Sequence, residues 1–436
     1  MHQKFLDNLK ITTLNEMQLA MIDAAKKKSD IVLLSPTGSG KTLGFLLPVV
    51  DALSTKVKSV QALIVVPSRE LAIQIEQVFR QMGTGFKVSC CYGGHSVRIE
   101  KSSFTHPPAV LVGTPGRIAY HLRNKNFDAS TIRTLVLDEF DKSLELGFKE
   151  EMSEIIGMLN DQLKRILTSA TKMAEIPEFT GVVNPMTMNF LAANSPTTSQ
   201  LKLKYIRAKD NDKLQILFSL LCNLQNKSTL IFCNHREAVD RVSGLLSEQG
   251  VDHGVFHGGM DQEDREHALI KFRNGSHHML VTTDLASRGL DIPQIEAIIH
   301  YQLPVTLEVF THRNGRTARM NAEGTTYILF TATEHLPHFI KEVPEEVSLP
   351  VKNVLPGKAL WRTLYIGAGR KDKISKMDIV GLILQRGGIT KEELGRVEVL
   401  DHASFAAVKS EKIDSVLKAI RMEKLKNRKL KFEIAR

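Results

Sequence analysis

A glycine-rich loop lies between two apolar segments near the start of the chain. The loop spans residues 35–42 (SPTGSGKT), with the apolar run Ile31–Leu34 before it and the apolar stretch 43–47 after it. A buried strand, a glycine turn and a helix start form the setting in which backbone N–H groups close around phosphates. Lys41 would reach the β- and γ-phosphates, and the Thr42 hydroxyl would hold Mg²⁺. The sequence therefore predicts a nucleoside-triphosphate site, whose loop contacts are Thr37, Gly38, Ser39, Gly40, Lys41 and Thr42.

The bulk composition limits the class of protein. A length of 436 residues suggests about three domains, and an apolar share of 42% is enough for several cores. No apolar run approaches the length of a membrane span, and the first residues form no obvious leader, so we expect a cytoplasmic protein without a membrane partner. The cysteines Cys90, Cys91, Cys222 and Cys233 lack metal-ligand spacing. We expect free thiols, with neither a disulfide nor a structural metal.

The positive charge is concentrated at the end of the chain. The formal net charge is +10, and residues 350–436 contain 20 Lys and Arg against 10 Asp and Glu, so the whole excess lies there. A run of charge is commonly a solvated helix face. A whole basic segment on an otherwise neutral protein instead favours a polyanionic partner.

Short apolar strands alternate with helical segments through residue 340. The predicted strands are Ile31–Leu34, 62–66, 110–112, Thr134–Leu137 and 165–167 and, after a linker-like stretch at 191–199, 230–232, Met279–Thr282, Ala297–His300 and 326–330. This rhythm predicts two parallel sheets covered by helices.

Prolines at positions 344, 350 and 356 mark a further boundary. Beyond it the pattern predicts strand 362–366, helix 375–385, strands 396–401 and 404–408, helix 411–422 and strand 429–434. The order β-α-β-β-α-β is that of an RNA-recognition fold. We expect domains over 1–194 and 195–342, a linker over 343–357 and a small α+β domain over 358–436.

Two carboxylates follow the predicted strand Thr134–Leu137 directly. Asp138 is suited to hold Mg²⁺ through water, and Glu139 to orient or deprotonate the attacking water. Acidic residues directly after a strand often form only a polar turn without a catalytic role. With Lys41 and Thr42 upstream, the pair favours triphosphate hydrolysis.

These elements occur in the order of a DEAD-box ATP-dependent RNA helicase, which the chain resembles through nearly its whole length. The resemblance implies two RecA-like parallel-sheet domains followed by a small α+β RNA-recognition-like domain, with ATP and Mg²⁺ as cofactors and RNA as partner. We expect no obligate oligomer. The resemblance also implies that Gln18 reads the adenine base. The family's upstream stacking aromatic has no clear counterpart, because Phe5 lies too close to Gln18.

The resemblance further implies RNA contacts in several short segments of the core. Hydroxyls, backbone amides and arginine suit contacts to phosphate and ribose that do not read base identity. The expected residues are Ser68, Arg69, Gly94, Thr114, Gly116, Arg117, Arg265 and Thr283. Residues 169–171 resemble the segment that couples hydrolysis to strand separation.

The segment 312–319 (HRNGRTAR) resembles the family's arginine-finger motif. Arg316 and Arg319 would stabilise charge on the γ-phosphate, for which a planar, always-protonated guanidinium is suited. Gly289 and Asp291 would contact the nucleotide from the second domain. Closure of the two domains around ATP and RNA would bend one strand of a short duplex.

Three positions depart from the family pattern. Phe140, Asn314 and Ala318 stand where alanine, isoleucine and glycine are usual. None removes a catalytic functional group, so they bear on turnover rate and interdomain coupling and not on the reaction.

The closing domain resembles that of the DbpA-like subfamily, whose members recognise structured ribosomal RNA. Strand 404–408 offers little aromatic platform for bases. We therefore place RNA binding on Lys371, Lys373, Lys426 and Arg428. The expected function is ATP-dependent unwinding or remodelling of structured RNA, with ribosomal RNA in large-subunit assembly as the target.

Two alternatives remain. A DNA translocase could share the same core, although the RNA-recognition tail argues against it. An RNA-binding protein with a decayed ATPase is the second, and the intact catalytic residues Lys41, Asp138, Glu139, Arg316 and Arg319 argue against that.

Overall fold

The computed structural model describes most of the chain. The described residues are 2–27, 29–36, 38–172, 175–191, 201–208, 212–287, 292, 295–317, 324–340, 344–349 and 353–435. They divide into two compact units at about residue 197. Within these ranges, no helix is both long enough and apolar enough to cross a bilayer.

A seven-stranded parallel sheet forms the centre of the first unit. In spatial order its strands are Val88–Cys91, Val110–Gly113, Ala62–Val65, Thr134–Leu137, Lys164–Ser169, Ile31–Leu34 and Met186–Asn189. The helices around it are His2–Leu9, Glu16–Ala25, Lys41–Ala52, Arg69–Met82, Val97–Ser103, Pro115–Arg123, Phe140–Glu145 and Lys149–Gly157, with a 3₁₀ turn at Glu178–Thr180. Ile31 and Leu33 pack into one core and Val32 and Leu34 into the other. The strand is apolar throughout because both faces are covered.

The second unit begins with another seven-stranded parallel sheet. Its strands in spatial order are Gly254–Phe256, Met279–Thr282, Thr229–Phe232, Ala297–His300, Gly324–Phe330, Leu201–Arg207 and Glu345–Glu346. The helices are Leu214–Leu224, Arg236–Glu248, Gln262–Arg273 and Leu307–Asn314, with a 3₁₀ turn at Asp284–Ser287.

A small antiparallel sheet closes the second unit. Its strands in spatial order are Leu394–Val399, Ser404–Lys409, Trp361–Ile366 and Phe432–Ile434. The helices Lys376–Gln385 and Ile413–Ile420 cover one face, 3₁₀ turns lie at Arg370–Asp372 and Lys391–Glu393, and Lys424–Leu425 pairs with Arg428–Lys429 as a separate hairpin. We refer to this part of the second unit as the terminal domain.

The predicted fold class is confirmed: two parallel-sheet α/β assemblies precede a small α+β sheet domain. Four predicted strands have the predicted bounds: Ile31–Leu34, Thr134–Leu137, Met279–Thr282 and Ala297–His300. The last predicted strand, 429–434, is shorter because its first part belongs to the hairpin.

Candidate nucleotide and RNA sites

The phosphate loop joins the buried strand Ile31–Leu34 to the helix Lys41–Ala52. Gly38 and Gly40 have φ angles of +83° and +86°, a region that favours glycine. The Lys41 Nζ donates to the Ser35 carbonyl oxygen at 2.7 Å, and the Lys41 side chain is buried. The ammonium group is thus held inside the loop, where phosphate oxygens can replace the carbonyl.

Gln18 connects the helix Glu16–Ala25 to this loop. Its Nε2 donates to the Gly40 carbonyl oxygen at 3.1 Å, and its Oε1 accepts from the Asn15 N–H at 3.0 Å. Asn15 Nδ2 in turn donates to the Ser39 carbonyl oxygen at 2.9 Å. The amide predicted to read adenine therefore also supports the phosphate loop, and adenine recognition stays a prediction.

Asp138 and Glu139 lie where the strand Thr134–Leu137 ends. The strand Lys164–Ser169 separates that strand from the strand of the phosphate loop, so the ends of all three meet at one edge of the sheet. The Asp138 carboxylate accepts from the Thr168 hydroxyl and, at 3.1 Å, from the Glu139 N–H. Glu139 is buried and has a φ of +48°.

The charge balance at Asp138 suits a divalent cation. Burial raises the pKa of the Asp138 carboxyl, while the Lys41 charge and the Thr168 hydrogen bond oppose that rise. A nearby positive charge stabilises the ionised form of a buried carboxylate such as Asp138. Thr42, in the first turn of the following helix, offers a half-buried hydroxyl. The Asp138 carboxylate and the Thr42 hydroxyl therefore have the chemistry that the predicted Mg²⁺ site requires.

Phe140 belongs to the apolar core of the first unit. Its side chain is fully buried in the core beneath the sheet, 6.2 Å from the Phe179 ring between centroids. The neighbouring Asp141 accepts a hydrogen bond of 2.8 Å from the Thr171 hydroxyl. The replacement of alanine by phenylalanine thus fills core volume, and the acidic segment contacts the segment 169–171 through Asp141.

Sequence reasoning missed Glu100, whose carboxylate holds Arg117, one of the predicted RNA contacts. Its carboxylate is 2% exposed and accepts from Arg117 Nη1 at 3.1 Å and from His121 Nε2 at 2.9 Å, with His95 Nδ1 at 3.3 Å. Although burial opposes ionisation, these partners hold the pKa of Glu100 below its ordinary value. Arg117 also donates to the His95 carbonyl oxygen at 3.2 Å. The position of Glu100 in the sequence matches no motif, so its contact with Arg117 could be found only from the fold.

The other predicted RNA contacts of the first unit lie in loops and helix starts. Ser68 caps the helix Arg69–Met82 by accepting from the Leu71 N–H at 3.2 Å. The Arg69 guanidinium lies against Gly94, where an added Cβ would be 2.8 Å from its Nη1. Gly94 and Gly116 are exposed, and Thr114 is half-buried at the start of the helix Pro115–Arg123.

In the second unit, Arg313 and Asp284 form a bidentate ion pair. Arg313 Nε donates to Oδ1 at 2.6 Å and Nη2 to Oδ2 at 3.2 Å, and the arginine is fully buried. Arg316 is also buried, and its Nε donates to the Ser287 carbonyl oxygen at 2.7 Å. Arg265 is buried beside Gln262, to which it donates. The finger role of Arg316 and the RNA contact of Arg265 stay predictions.

Asn314 is accommodated by two polar neighbours. Its Oδ1 accepts from His300 Nε2 at 3.1 Å and from the Thr326 hydroxyl at 3.0 Å. Burial, together with the charge of Arg313, lowers the pKa of His300 to about 3. A neutral imidazole is therefore the hydrogen-bond donor to the Asn314 Oδ1, while the buried Asn314 Nδ2 has no hydrogen-bond partner among the described residues.

The predicted basic residues of the terminal domain are exposed and lie at the 3₁₀ turn Arg370–Asp372 and in the hairpin formed by Lys424–Leu425 and Arg428–Lys429. Lys371 Nζ is 3.1 Å from Asp401, Lys426 Nζ is 2.8 Å from Asp378, and Arg428 Nη1 is 3.3 Å from Asp372. Lys426 also donates to the Lys373 carbonyl oxygen at 2.6 Å. We refer to Lys371, Lys373, Lys426 and Arg428 as the terminal basic cluster. The cluster borders a cavity of about 550 Å³ lined in part by Arg370, Lys373 and Lys376.

Some predicted positions lie outside the described residues. They are Thr37, Gly289, Asp291, Ala318 and Arg319. The half-buried Thr283 lies within the described residues, directly after the strand Met279–Thr282.

Comparison with known proteins places these features in one family. Three family models match successive parts of the chain: DEAD/DEAH box helicase over residues 15–179, helicase conserved C-terminal domain over 212–321 and DbpA RNA binding domain over 363–434. The chain is 29% identical to the ATP-dependent RNA helicase DbpA of Bacillus subtilis, over 99% of this chain and 96% of that protein. It is 30% identical to the DEAD-box ATP-dependent RNA helicase RhpA of Helicobacter pylori, over 78% of this chain and 70% of that protein.

A solved structure supports the fold. S. cerevisiae Dbp5 bound to RNA and ADP BeF3 matches with a TM-score of 0.70 at 24% identity, over 79% of this chain and 92% of that one. The matched regions follow the order of the sites described above, from the phosphate loop to the basic terminal domain. The chain therefore belongs to the DEAD-box ATP-dependent RNA helicases and, with its DbpA RNA-binding domain, is DbpA-like.

Proposed function

We propose that this helicase remodels structured ribosomal RNA during assembly of the large ribosomal subunit, in the cytoplasm, with Mg²⁺ accompanying ATP. The observation that carries the proposal is the exposed terminal basic cluster on a domain that matches the DbpA RNA-binding model. Its ion pairs with aspartates are solvent-exposed, and such pairs add little stability, so RNA phosphates can replace the aspartates at low cost. The segment 358–436 directs the enzyme to its RNA, and the segment 1–194 binds ATP.

The nucleotide chemistry follows from the groups at the sheet edge. Lys41 and the loop amides hold the phosphates, and Gln18 reads adenine. Asp138 and Thr42 hold Mg²⁺, which neutralises phosphate charge when bound. Glu139 orients the attacking water and takes its proton, and Arg316 with Arg319 stabilises the charge that builds on the γ-phosphate.

The test uses the full chain with reversed charge in the terminal basic cluster. The variant Lys371→Glu/Lys426→Glu/Arg428→Glu is compared with native protein for affinity to large-subunit ribosomal RNA and to poly-uridylate, across a salt series. We expect native protein to prefer ribosomal RNA. The variant should lose that preference, keep ATP hydrolysis stimulated by poly-uridylate, and show a salt slope smaller by roughly 3.

A matched control reverses three other charges in the same domain. Arg386→Glu/Lys391→Glu/Lys418→Glu changes the net charge equally and should keep the preference. Equal affinity of native protein for both RNAs, or an unchanged preference in the cluster variant, would contradict the proposal.

A further inference from the structure

Three side chains with metal-binding atoms lie together inside the first unit. They are Cys91, Glu100 and His121, and all three are buried. The Cys91 Sγ, a Glu100 carboxylate oxygen and a His121 ring nitrogen all lie within 4.8 Å of one another. Cys91 ends the strand Val88–Cys91, and the other two residues belong to the helices Val97–Ser103 and Pro115–Arg123. The fold thus brings together three donors that are far apart in the sequence.

The donor set suits Zn²⁺. This ion favours four-coordinate sites built from thiolate sulfur, imidazole nitrogen and carboxylate oxygen. Ligand atoms on a tetrahedral Zn²⁺ lie roughly 3.3–3.8 Å apart, so the three side chains need to close by at most about 1.5 Å. Mg²⁺ and Ca²⁺ prefer oxygen ligands only. The cluster therefore differs in metal preference from the Mg²⁺ site proposed for ATP.

The hydrogen bonds of His121 suit its use as a ligand. Its Nε2 is 2.9 Å from Glu100 Oε2 and donates, because a carboxylate only accepts. Its Nδ1 lies 2.9 Å from the side-chain amide of Asn126. When Zn²⁺ binds Nε2, the imidazole proton moves to Nδ1, where the Asn126 amide oxygen can accept it after the amide turns. The Cys91 thiol proton leaves to solvent. An imidazole ligand held at its other nitrogen by an outer partner is the usual arrangement.

Arg117 competes with a metal ion for Glu100. Its Nη1 is 3.1 Å from Glu100 Oε2, the oxygen that also accepts from His121. The Cys91 thiolate and the Glu100 carboxylate together balance the charge of Zn²⁺, so no charge is left to hold the guanidinium. Only the uncharged His95 carbonyl oxygen then remains as a hydrogen-bond acceptor for Arg117.

The same edge of the cluster gives access from solvent. The side chains of Arg117 and His95 are 13% and 30% exposed, whereas that of Glu100 is 1% exposed. An ion can therefore enter beside His95, and the displaced guanidinium can move outward.

We propose that Cys91, Glu100 and His121 form a Zn²⁺ site that regulates RNA binding by the first unit. Bound Zn²⁺ takes the Glu100 carboxylate from Arg117, so metal and RNA oppose each other's binding. Water or His95, whose Nδ1 is 3.3 Å from Glu100 Oε1, completes the coordination. The effect on RNA rests on the proposed contact between Arg117 and RNA, whereas the metal site does not.

Co²⁺ tests the metal site in the full chain as an optical substitute for Zn²⁺. Thiolate-bound Co²⁺ absorbs in the near ultraviolet by charge transfer from sulfur, and tetrahedral Co²⁺ has strong visible bands. We expect both signals in native protein and their loss when Zn²⁺ is added. Cys91→Ala should lose the thiolate band and bind Zn²⁺ at least about a hundredfold more weakly, since a direct ligand matters more than an outer partner.

Two further variants make this test specific. Cys90→Ala is the matched control, because Cys90 is the next residue in the strand and packs against the opposite core; it should keep both bands. Arg117→Ala removes the competing cation and no ligand, so Zn²⁺ should bind about tenfold more tightly. Absence of the thiolate band in native protein, or its persistence in Cys91→Ala, would overturn the metal site.

RNA affinity tests the regulation. Saturating Zn²⁺ should raise the Kd for poly-uridylate about tenfold in native protein, and RNA should weaken Zn²⁺ binding by the same factor. In Cys91→Ala, Zn²⁺ should change the Kd for RNA by less than twofold. An equal effect of Zn²⁺ in both proteins, or no effect in native protein that binds Zn²⁺, would overturn the regulation. Native RNA affinity in Arg117→Ala would instead contradict the proposed RNA contact, while the Co²⁺ spectra would still decide the metal site.

Discussion

The side-chain amide of Gln18 donates a hydrogen bond of 3.1 Å to the carbonyl oxygen of Gly40, the residue that precedes the helix of the phosphate loop. The approach is so close that a Cβ at Gly40 would lie 2.5 Å from Gln18 Nε2. Glycine at this position is therefore required by its φ of +86° and by the glutamine. The phosphate loop and the segment predicted to read adenine are thus held together by this contact.

This contact predicts that Gln18 affects both loop geometry and nucleotide choice. Gln18→Ala removes two hydrogen bonds worth about 1 kcal/mol each, so we expect the KM for ATP to rise about tenfold and the preference for ATP over GTP to be lost. The measurement is RNA-stimulated hydrolysis of both nucleotides. Equal use of ATP and GTP by native enzyme would contradict the adenine assignment.

Thr168, together with the charge of Lys41, helps to keep Asp138 ionised. Its hydroxyl donates to that carboxylate and favours the ionised form, against the burial that raises the pKa of Asp138. Thr168→Val removes the donor, so the pKa rises further and the acid limb of kcat/KM for ATP moves to higher pH. Thr168→Ser keeps the donor and should keep the native profile. If the acid limb of the kcat/KM profile stays at the native pH in Thr168→Val, ionisation of Asp138 does not determine that limb.

Glu100 is expected to act through Arg117. Glu100→Gln removes the charge that holds the guanidinium, so the RNA concentration for half-maximal ATPase stimulation should rise about tenfold, with kcat at saturating RNA little changed. Adding Glu100→Gln to Arg117→Ala should cost little more than Arg117→Ala alone. Glu154→Gln, which breaks the exposed pair with Arg123, is the matched control. Fully additive losses would place Glu100 outside the RNA-contact network.

His300 predicts a pH dependence of stability in the second unit. The pKa of the imidazole falls from an ordinary 6.5 to about 3 in the folded chain because of burial and the Arg313 charge. Between these values the unfolded chain binds the proton and the folded chain does not. The free energy of unfolding therefore falls as pH drops below about 6.5, by up to about 1.4 kcal/mol per pH unit.

His300→Gln isolates this contribution. Glutamine does not titrate and can still donate to Asn314, so urea unfolding should depend less on pH in the variant than in native protein. Identical pH dependence in the two proteins would contradict a buried neutral His300.

The sequence predicted the strands whose residues are apolar throughout and buried on both faces, such as Ile31–Leu34 and Thr134–Leu137. It missed Val88–Cys91 and Met186–Asn189, in which Ser89, Thr187 and Asn189 interrupt the apolar pattern. Pairing with neighbouring strands, and not local composition, makes these segments strands.

The sequence placed Asp138 and Glu139 directly after a strand and Lys41 at the start of a helix, as the structure has them, and their catalytic roles stay predictions. Glu100 and Thr168 were not predicted, because their roles depend on partners 17 and 30 residues away, Arg117 and Asp138. The grouping of Cys91 and His121 with Glu100 was missed for the same reason, because three separate elements supply these residues.

The most direct test of the account is steady-state ATP hydrolysis by native protein and Glu139→Gln, with RNA, with DNA of the same sequence, and with neither. We predict that RNA and not DNA stimulates the native enzyme. Glu139→Gln should bind ATP with native affinity and hydrolyse it at most at about a hundredth of the native rate, the scale lost when a positioned general base is removed. A near-native RNA-dependent rate in Glu139→Gln would contradict the assignment of Glu139, and equal stimulation by DNA would contradict the RNA specificity of the enzyme.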